Sequence, residues 1–158
     1  MTVRLAQQIG MLPVVSYARK FNIVDHMPPV LSMALGAGET TLMRLTTAYA
    51  MLVNGGKQVS PTLIDRIQNR YGETIYRYDK RPCVGCNAIW TGQDTPILPD
   101  VRERVLSPQT SYQIVSMLEG VVKRGTGRSI RSVGKPLAGK TGTTNDSRDA
   151  WFVGFAPD

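Results

Sequence analysis

The chain has 158 residues, 42% of them hydrophobic, and a formal net charge of +7. That length and apolar content suit one folded domain with a real core and exclude wholesale disorder. No apolar run approaches the roughly 18 residues that a membrane helix needs, and the N-terminal "MTVRLAQQIGM" lacks the charged-then-apolar order of a signal peptide.

A basic surface suits nucleic acid, anionic lipid or an acidic polymer. The 19 Lys and Arg residues are spread along the chain, with small pairs at Arg19-Lys20, Lys80-Arg81 and Lys123-Arg124. No aromatic-basic interleaving builds a base-stacking platform, so nucleic acid is not an expected partner.

In chain order, "TVRLAQQIG" predicts a helix with apolar Val3, Leu5, Ala6 and Ile9 and with Gly10 as its stop. Pro13 suits the first turn of a second helix, "PVVSYARKF". A loop with Pro28-Pro29 follows, and His26, the only histidine, is expected exposed within it. "ETTLMRLTTAYAMLVNGG" is the clearest helix. Leu42, Leu45, Tyr49, Leu52 and Val53 fall close to one stripe, read as core-facing, and Asn54-Gly55-Gly56 ends the helix. "PTLIDRIQN" and "ETIYRY" read as two strands around Arg70-Tyr71-Gly72.

Residues 79 to 104 read as a long irregular segment carrying "CVGC" at 83 to 86. A lone C-x-x-C is half of a zinc site, a redox pair or a local staple. Zinc would need an unusual mixed site here, with no second pair. Thioredoxin-like use needs a strand before the pair and a helix after it, where this sequence has loop. In an oxidising compartment a local Cys83–Cys86 link is the commoner outcome.

Ser107-Pro108 marks the next helix start, with Ser as N-cap and Pro in the first position. Ile114, Val115, Leu118, Val121 and Val122 supply its buried face, and Gly125 and Gly127 break the pattern. "KPLAGKTGTT" and "DAWFVGFAP" then read as an antiparallel hairpin around the turn "NDSR". Helices, hairpin, long helix, hairpin is an α+β order, with helices packed on an antiparallel sheet.

Lys140 sits in two overlapping motifs. "GKPLAGKT" at 134 to 141 matches the phosphate-loop pattern, while "KTG" at 140 to 142 is an element of serine acyl-transfer sites. A phosphate loop needs a helix starting at its Lys-Thr. Here Gly, Thr, Thr, Asn and Asp follow, a poor first turn, and Pro136 removes an amide from the supposed cradle. Context rejects the nucleotide reading.

The second reading fits its surroundings. "AGKTGTTNDSRDAWFVGFAPD" resembles the third-motif hairpin of penicillin-binding transpeptidases. "LGAGETTLMRLTTAYAMLVNGGKQVSPTLI" resembles their mid-domain helix and following strand, and "VLSPQTSYQIVSMLEGVVKRGTGRSI" the helix before the third motif. The resemblance covers nearly the whole chain and is closest to the class A, bifunctional penicillin-binding proteins, in which a glycosyltransferase domain precedes the transpeptidase domain.

The resemblance implies a penicillin-binding, serine β-lactamase-like fold, incomplete in this chain, and a D,D-transpeptidase that cross-links peptidoglycan stem peptides through a serine acyl-enzyme. A D,D-carboxypeptidase or β-lactamase is the near alternative, and a non-catalytic peptide- or partner-binding module the distant one. By resemblance, Thr141 and Thr143 hydroxyls meet the carboxylate of a D-Ala-D-Ala terminus, and Lys140 supplies positive charge and touches the proton-transfer network. The Thr143 N–H is then one of two oxyanion donors, and Gly142 leaves room for substrate along the strand. β-Lactam antibiotics are implied as further ligands. No metal or cofactor is implied. The location implied is the cell envelope, on the outer face of the cytoplasmic membrane, held there by an N-terminal anchor outside these residues.

Two family motifs are not found. The only S-x-x-K is Ser132 to Lys135, "SVGK", which reads as coincidence because its glycine and following proline do not suit a helical turn. "SRD" at 147 to 149 has Asp where S-x-N has Asn and lies after K-T-G. The expectation is a partial transpeptidase domain over 1–158. It would start just after the S-x-N motif, end after the K-T-G hairpin, and be catalytically silent alone.

Overall fold

The computed structural model describes residues 1–157, apart from the side chain of Ser147. It divides into two compact units: residues 1–59 with 103–157, and Ser60–Arg102.

In the larger unit, α1 (Thr2–Ile9) ends at Gly10, whose φ of 79° and ψ of 157° form an extended positive-φ conformation that glycine adopts without strain. Helix α2 (Met11–Lys20) starts two residues before Pro13. Proline is tolerated there because first-turn N–H groups have no partner within the helix. Asn22, at φ 54°, turns the chain out of α2, and its N–H donates to the Arg19 carbonyl at 2.8 Å. His26 is exposed in the loop that follows, and a short 3-10 helix occupies Leu31–Leu35.

Helix α3 (Leu42–Val53) is capped by Thr41, whose hydroxyl accepts the Arg44 N–H at 3.2 Å. Its buried face is Thr47, Ala48 and Met51, and Ala48 and Met51 join Phe21 in the core. This corrects the expected stripe: Leu42 and Val53 are exposed, and Leu45, Tyr49 and Leu52 are half-buried. At about 100° per residue, the centre of the buried face lies about 145° around the helix from that of the expected stripe. Thr47 can be buried because its hydroxyl donates to the Met43 carbonyl at 2.8 Å. In α1, Ala6 is buried, whereas Leu5 and Ile9 are exposed.

The turn after α3 is stitched to the start of the next helix. The Gly56 carbonyl accepts the Val105 and Leu106 N–H groups at 2.8 and 3.1 Å. Gln58 N–H donates to the Glu103 carbonyl at 2.8 Å, and the Arg104 guanidinium to the Gly55 carbonyl at 2.7 Å. Gly56 has φ 80°, and a Cβ there would lie 2.2 Å from the Leu106 carbonyl oxygen, so only glycine allows this approach. Val105 and Leu106 are thereby delivered to the Phe21–Ala48–Met51 cluster.

Helix α4 (Pro108–Arg124) has Ser107 as N-cap, accepting the Thr110 N–H at 3.2 Å, and Pro108 at its first position. Val122 is buried and Ile114, Val115, Leu118 and Val121 are half-buried, as their spacing predicts. Ser111 and Gly120 complete the buried face.

The small unit holds a hairpin of β1 (Arg66–Gln68) and β2 (Thr74–Arg77), pairing Ile67 with Tyr76 around an irregularity at Ile67/Gln68. Its turn is organised by Asn69, whose side-chain oxygen accepts the N–H groups of Tyr71 and Glu73, and by Gly72 at φ 83°. Strand β1 is shorter than the sequence suggests. Thr62 folds back on Ile64, accepting its N–H and donating to its carbonyl, which takes residues 62–64 out of an extended ladder. Cys83 and Cys86 are disulfide-bonded, with Cα atoms 5.6 Å apart, within the usual range for such a bond. Among the described residues, 79–103 hold neither strand nor helix, whereas the thioredoxin-like alternative requires a strand directly before the pair and a helix directly after it.

In the larger unit, β3 (Ala138–Thr143) and β4 (Ala150–Phe155) form the second antiparallel hairpin. Helix α4 lies against β3, and α3 contacts α4 and β4. The α+β arrangement of helices on antiparallel strands is therefore observed.

Candidate functional site

All four candidate residues, Lys140, Thr141, Gly142 and Thr143, lie on β3. They face Val153, Phe152, Trp151 and Ala150 of β4 in turn. The strand continues without a break through Lys140-Thr141, so no helix begins there to receive a phosphate. This excludes the phosphate-loop geometry. Among the described residues, β3 pairs only with β4 and its other edge carries no strand.

Side chains alternate across a strand. Thr141 and Thr143 therefore share one face with Gly139, while Lys140 and Gly142 share the other. Lys140, Gly142 and Thr143 are exposed and Thr141 half-buried. The Lys140 ammonium donates to the Thr141 carbonyl at 2.7 Å. That uses one of its three protons and keeps the cation beside the strand. A Cβ on Gly142 would meet no atom within 4 Å, so internal packing does not demand glycine at this position.

The register of β3 is fixed just before Lys140. Added Cβ atoms at Gly139 and Gly154 would each lie 2.5 Å from the Phe152 ring. The ring thus lies in a slot that two paired glycines leave open, with Gly127 at its far edge. The loop from β3 to β4 is closed by Thr144, whose N–H donates to the Asp149 carbonyl at 3.0 Å and whose hydroxyl accepts the Asp149 N–H at 2.8 Å. Asp146 sits in this loop at φ 58°. The Ser147 side chain, part of the "SRD" departure from S-x-N, lies outside the described residues.

Ser132 is placed at the end of a 3-10 helix, Arg128–Val133, where its hydroxyl donates to the Ser129 carbonyl at 3.0 Å. Gly134 follows at φ 74°, so Lys135 lies beyond the helix and the two do not share a helical turn. A residue not singled out in the sequence does reach the strand: Thr126, after α4, has its hydroxyl 2.7 Å from that of Thr141. Its only local signal is a polar residue between the helix-ending Gly125 and Gly127.

The family model described as "Penicillin binding protein transpeptidase domain" matches residues 1–158. The chain belongs to this family. It is 46% identical to penicillin-binding protein 1A of Rickettsia prowazekii over 99% of the chain and 20% of that protein. Penicillin-binding protein 1A of Neisseria gonorrhoeae is 38% identical over 99% of the chain and 18% of its own length. The chain thus spans about a fifth of the relatives it matches. Among solved structures, penicillin-binding protein 1A from Haemophilus influenzae superposes with a TM-score of 0.79 at 28% identity, over 98% of this chain and 26% of that one. Penicillin-binding protein A of M. tuberculosis, solved as an imipenem acyl-enzyme complex, gives 0.70 at 19% identity, over 99% and 37%; this second likeness speaks for the fold alone. The resemblance read from the sequence, to the transpeptidase portion of class A penicillin-binding proteins, is borne out.

Proposed function

We propose that this chain supplies the carboxylate-binding strand of a peptidoglycan D,D-transpeptidase that acts through a serine acyl-enzyme and is acylated by penicillins. The observation that carries this reading is β3 itself. Family membership accompanies a strand whose outer edge carries no other strand among the described residues, with the exposed Lys140 cation and Gly142, over open space, on one face and Thr141 and Thr143 on the other. A peptide lying along that edge would add a strand, its backbone pairing with the edge groups. The Thr141 and Thr143 hydroxyls bind its terminal carboxylate, Lys140 offsets the charge, and Gly142 lets the peptide backbone approach.

In the reaction, a serine hydroxyl attacks the carbonyl of the terminal D-Ala-D-Ala amide. The C–N bond breaks, the departing D-alanine amine takes the proton, and an acyl ester remains. An acceptor amine then attacks the ester and the serine recovers a proton. The Thr143 N–H stabilises the oxyanion of each tetrahedral intermediate, contributing about 3 kcal/mol as such donors do. The serine belongs to an S-x-x-K helix turn, which these 158 residues do not contain. The chain is then a partial transpeptidase domain lying between the second motif and the end of the third-motif hairpin, and it acts outside the cytoplasmic membrane.

Labelling with fluorescent penicillin tests this. The full-length gene product takes covalent label, and Lys140→Ala slows labelling about a hundredfold, the usual loss for a group in the proton-transfer network, without loss of folding. The 158-residue chain alone takes none. Unchanged labelling in Lys140→Ala, or labelling of the short chain that disappears in Ser132→Ala, refutes the assignment.

A further inference from the structure

We infer that Thr126 is a positioning residue for the carboxylate site: its hydroxyl orients that of Thr141. The inference rests on the function proposed for β3 and extends it to a second segment of the chain.

The hydroxyls of Thr126 and Thr141 lie 2.7 Å apart, a normal O–H···O distance. A hydroxyl has one proton to give and can accept two. If Thr141 gives its proton to Thr126, it has none left for an anion. If Thr126 is the donor, the Thr141 proton is free to point at an incoming carboxylate. An anion beside Thr141 selects the second arrangement, and the chain Thr126 O–H to Thr141 O–H to carboxylate polarises in one direction, each bond strengthening the next.

The backbone that holds Thr126 is built rather than incidental. The Val121 carbonyl accepts both the Gly125 and the Gly127 N–H, each at 3.0 Å, so the residues on either side of Thr126 are tied to one acceptor at the end of α4. A Cβ at Gly125 would lie 2.9 Å from Val121 Cα, and one at Gly127 would lie 3.6 Å from the Phe152 ring. Phe152 is the residue paired with Thr141 across the hairpin. Gly127, the neighbour of Thr126, thus lies beside the ring of the residue paired with Thr141, although Thr126 and Thr141 are separated by 15 positions. Thr126 is exposed, so its hydroxyl is not confined there by burial.

The test uses the full-length gene product and two acyl donors, penicillin G and its methyl ester, which lacks the anion. Adduct formation is followed by mass spectrometry. Thr126→Val removes the hydroxyl at nearly constant shape, and Thr126→Ser keeps it. The expected result is that Thr126→Val slows acylation by penicillin G up to about tenfold, the upper end of the range for one hydrogen bond between neutral groups. Its preference for the acid over the ester should fall by the same factor, and Thr126→Ser should recover most of both. Equal slowing with acid and ester, no slowing at all, or failure of Thr126→Ser to recover the preference overturns the inference while leaving the strand's role intact. A parent protein that shows no preference for the acid, or forms no adduct, overturns the reading of β3 itself and this inference with it.

Discussion

Gly139→Ala inserts a methyl group where the hairpin has no room for one. The added Cβ would lie 2.5 Å from Phe152 Cζ, 2.6 Å from the Val153 carbonyl oxygen and 2.8 Å from Gly154 Cα. The ring can swing aside, but the two backbone atoms can yield only if β3 and β4 separate. Relaxing the oxygen contact to an ordinary 3.4 Å needs a displacement of about 0.8 Å. Such overpacking costs about 1–3 kcal/mol of stability. Because Lys140 and Thr141 follow directly, a shift near 1 Å is also expected to slow acylation, by up to about a hundredfold. Gly142→Ala is the matched control. A Cβ there meets nothing, so stability stays within about 0.5 kcal/mol, yet the methyl stands on the edge assigned to substrate and slows acylation about tenfold. Urea unfolding and timed labelling with fluorescent penicillin, both on the full-length gene product, separate the two effects. A Gly139→Ala protein that unfolds and labels like its parent refutes the packing argument. A Gly142→Ala protein that labels like its parent removes the substrate from that edge.

Ser107→Ala deletes the cap on the Thr110 N–H and is expected to cost about 1 kcal/mol in urea unfolding, with Ser107→Asp restoring it; no loss would show that α4 does not depend on the cap. Arg44 bonds both carboxylate oxygens of Asp25, at 3.1 and 2.9 Å, across partly exposed side chains. Arg44→Ala should therefore cost less than about 1 kcal/mol, and less still in added salt; a larger, salt-independent loss contradicts this. Hydrogen bonds from Arg81 hold the Asp79 carboxyl well below the usual carboxylate range. A depressed folded value means that its contribution to stability is complete above the ordinary aspartate value and is lost as pH falls through the lower folded one. An NMR titration should find Asp79 still ionised near pH 3.9, about where a free aspartate is half protonated. It should move up toward that value in Arg81→Ala, and an ordinary titration in the parent would contradict the pairing.

Local chemistry was the most legible part of the sequence. Ser107-Pro108 announces a helix start through a side-chain cap and a missing N–H, and both operate within four residues. Asn54-Gly55-Gly56 announces a stop in the same way. The K-T-G hairpin was readable because two extended runs flank the polar turn "NDSR". The buried side of α3 was less so. Apolar spacing pointed to Leu42, Leu45, Tyr49, Leu52 and Val53, but packing on Phe21 favours Ala48 and Met51 and tolerates Thr47, whose hydroxyl finds a partner within its own helix. Strand β1 was overread because the fold-back of Thr62 on Ile64 competes with the ladder, which β-propensity does not count. Thr126 could not be singled out, since its contact exists only once α4 and β3 are packed together.

The central claim is that the edge of β3 receives the donor's carboxylate. The most direct measurement is a crystal structure of the full-length gene product acylated by penicillin G. The account predicts the penicillin carboxylate within hydrogen-bond reach, about 2.5–3.0 Å, of the Thr141 and Thr143 hydroxyls, with the acyl carbonyl oxygen on the Thr143 N–H. An adduct whose carboxylate lies away from β3 would contradict it.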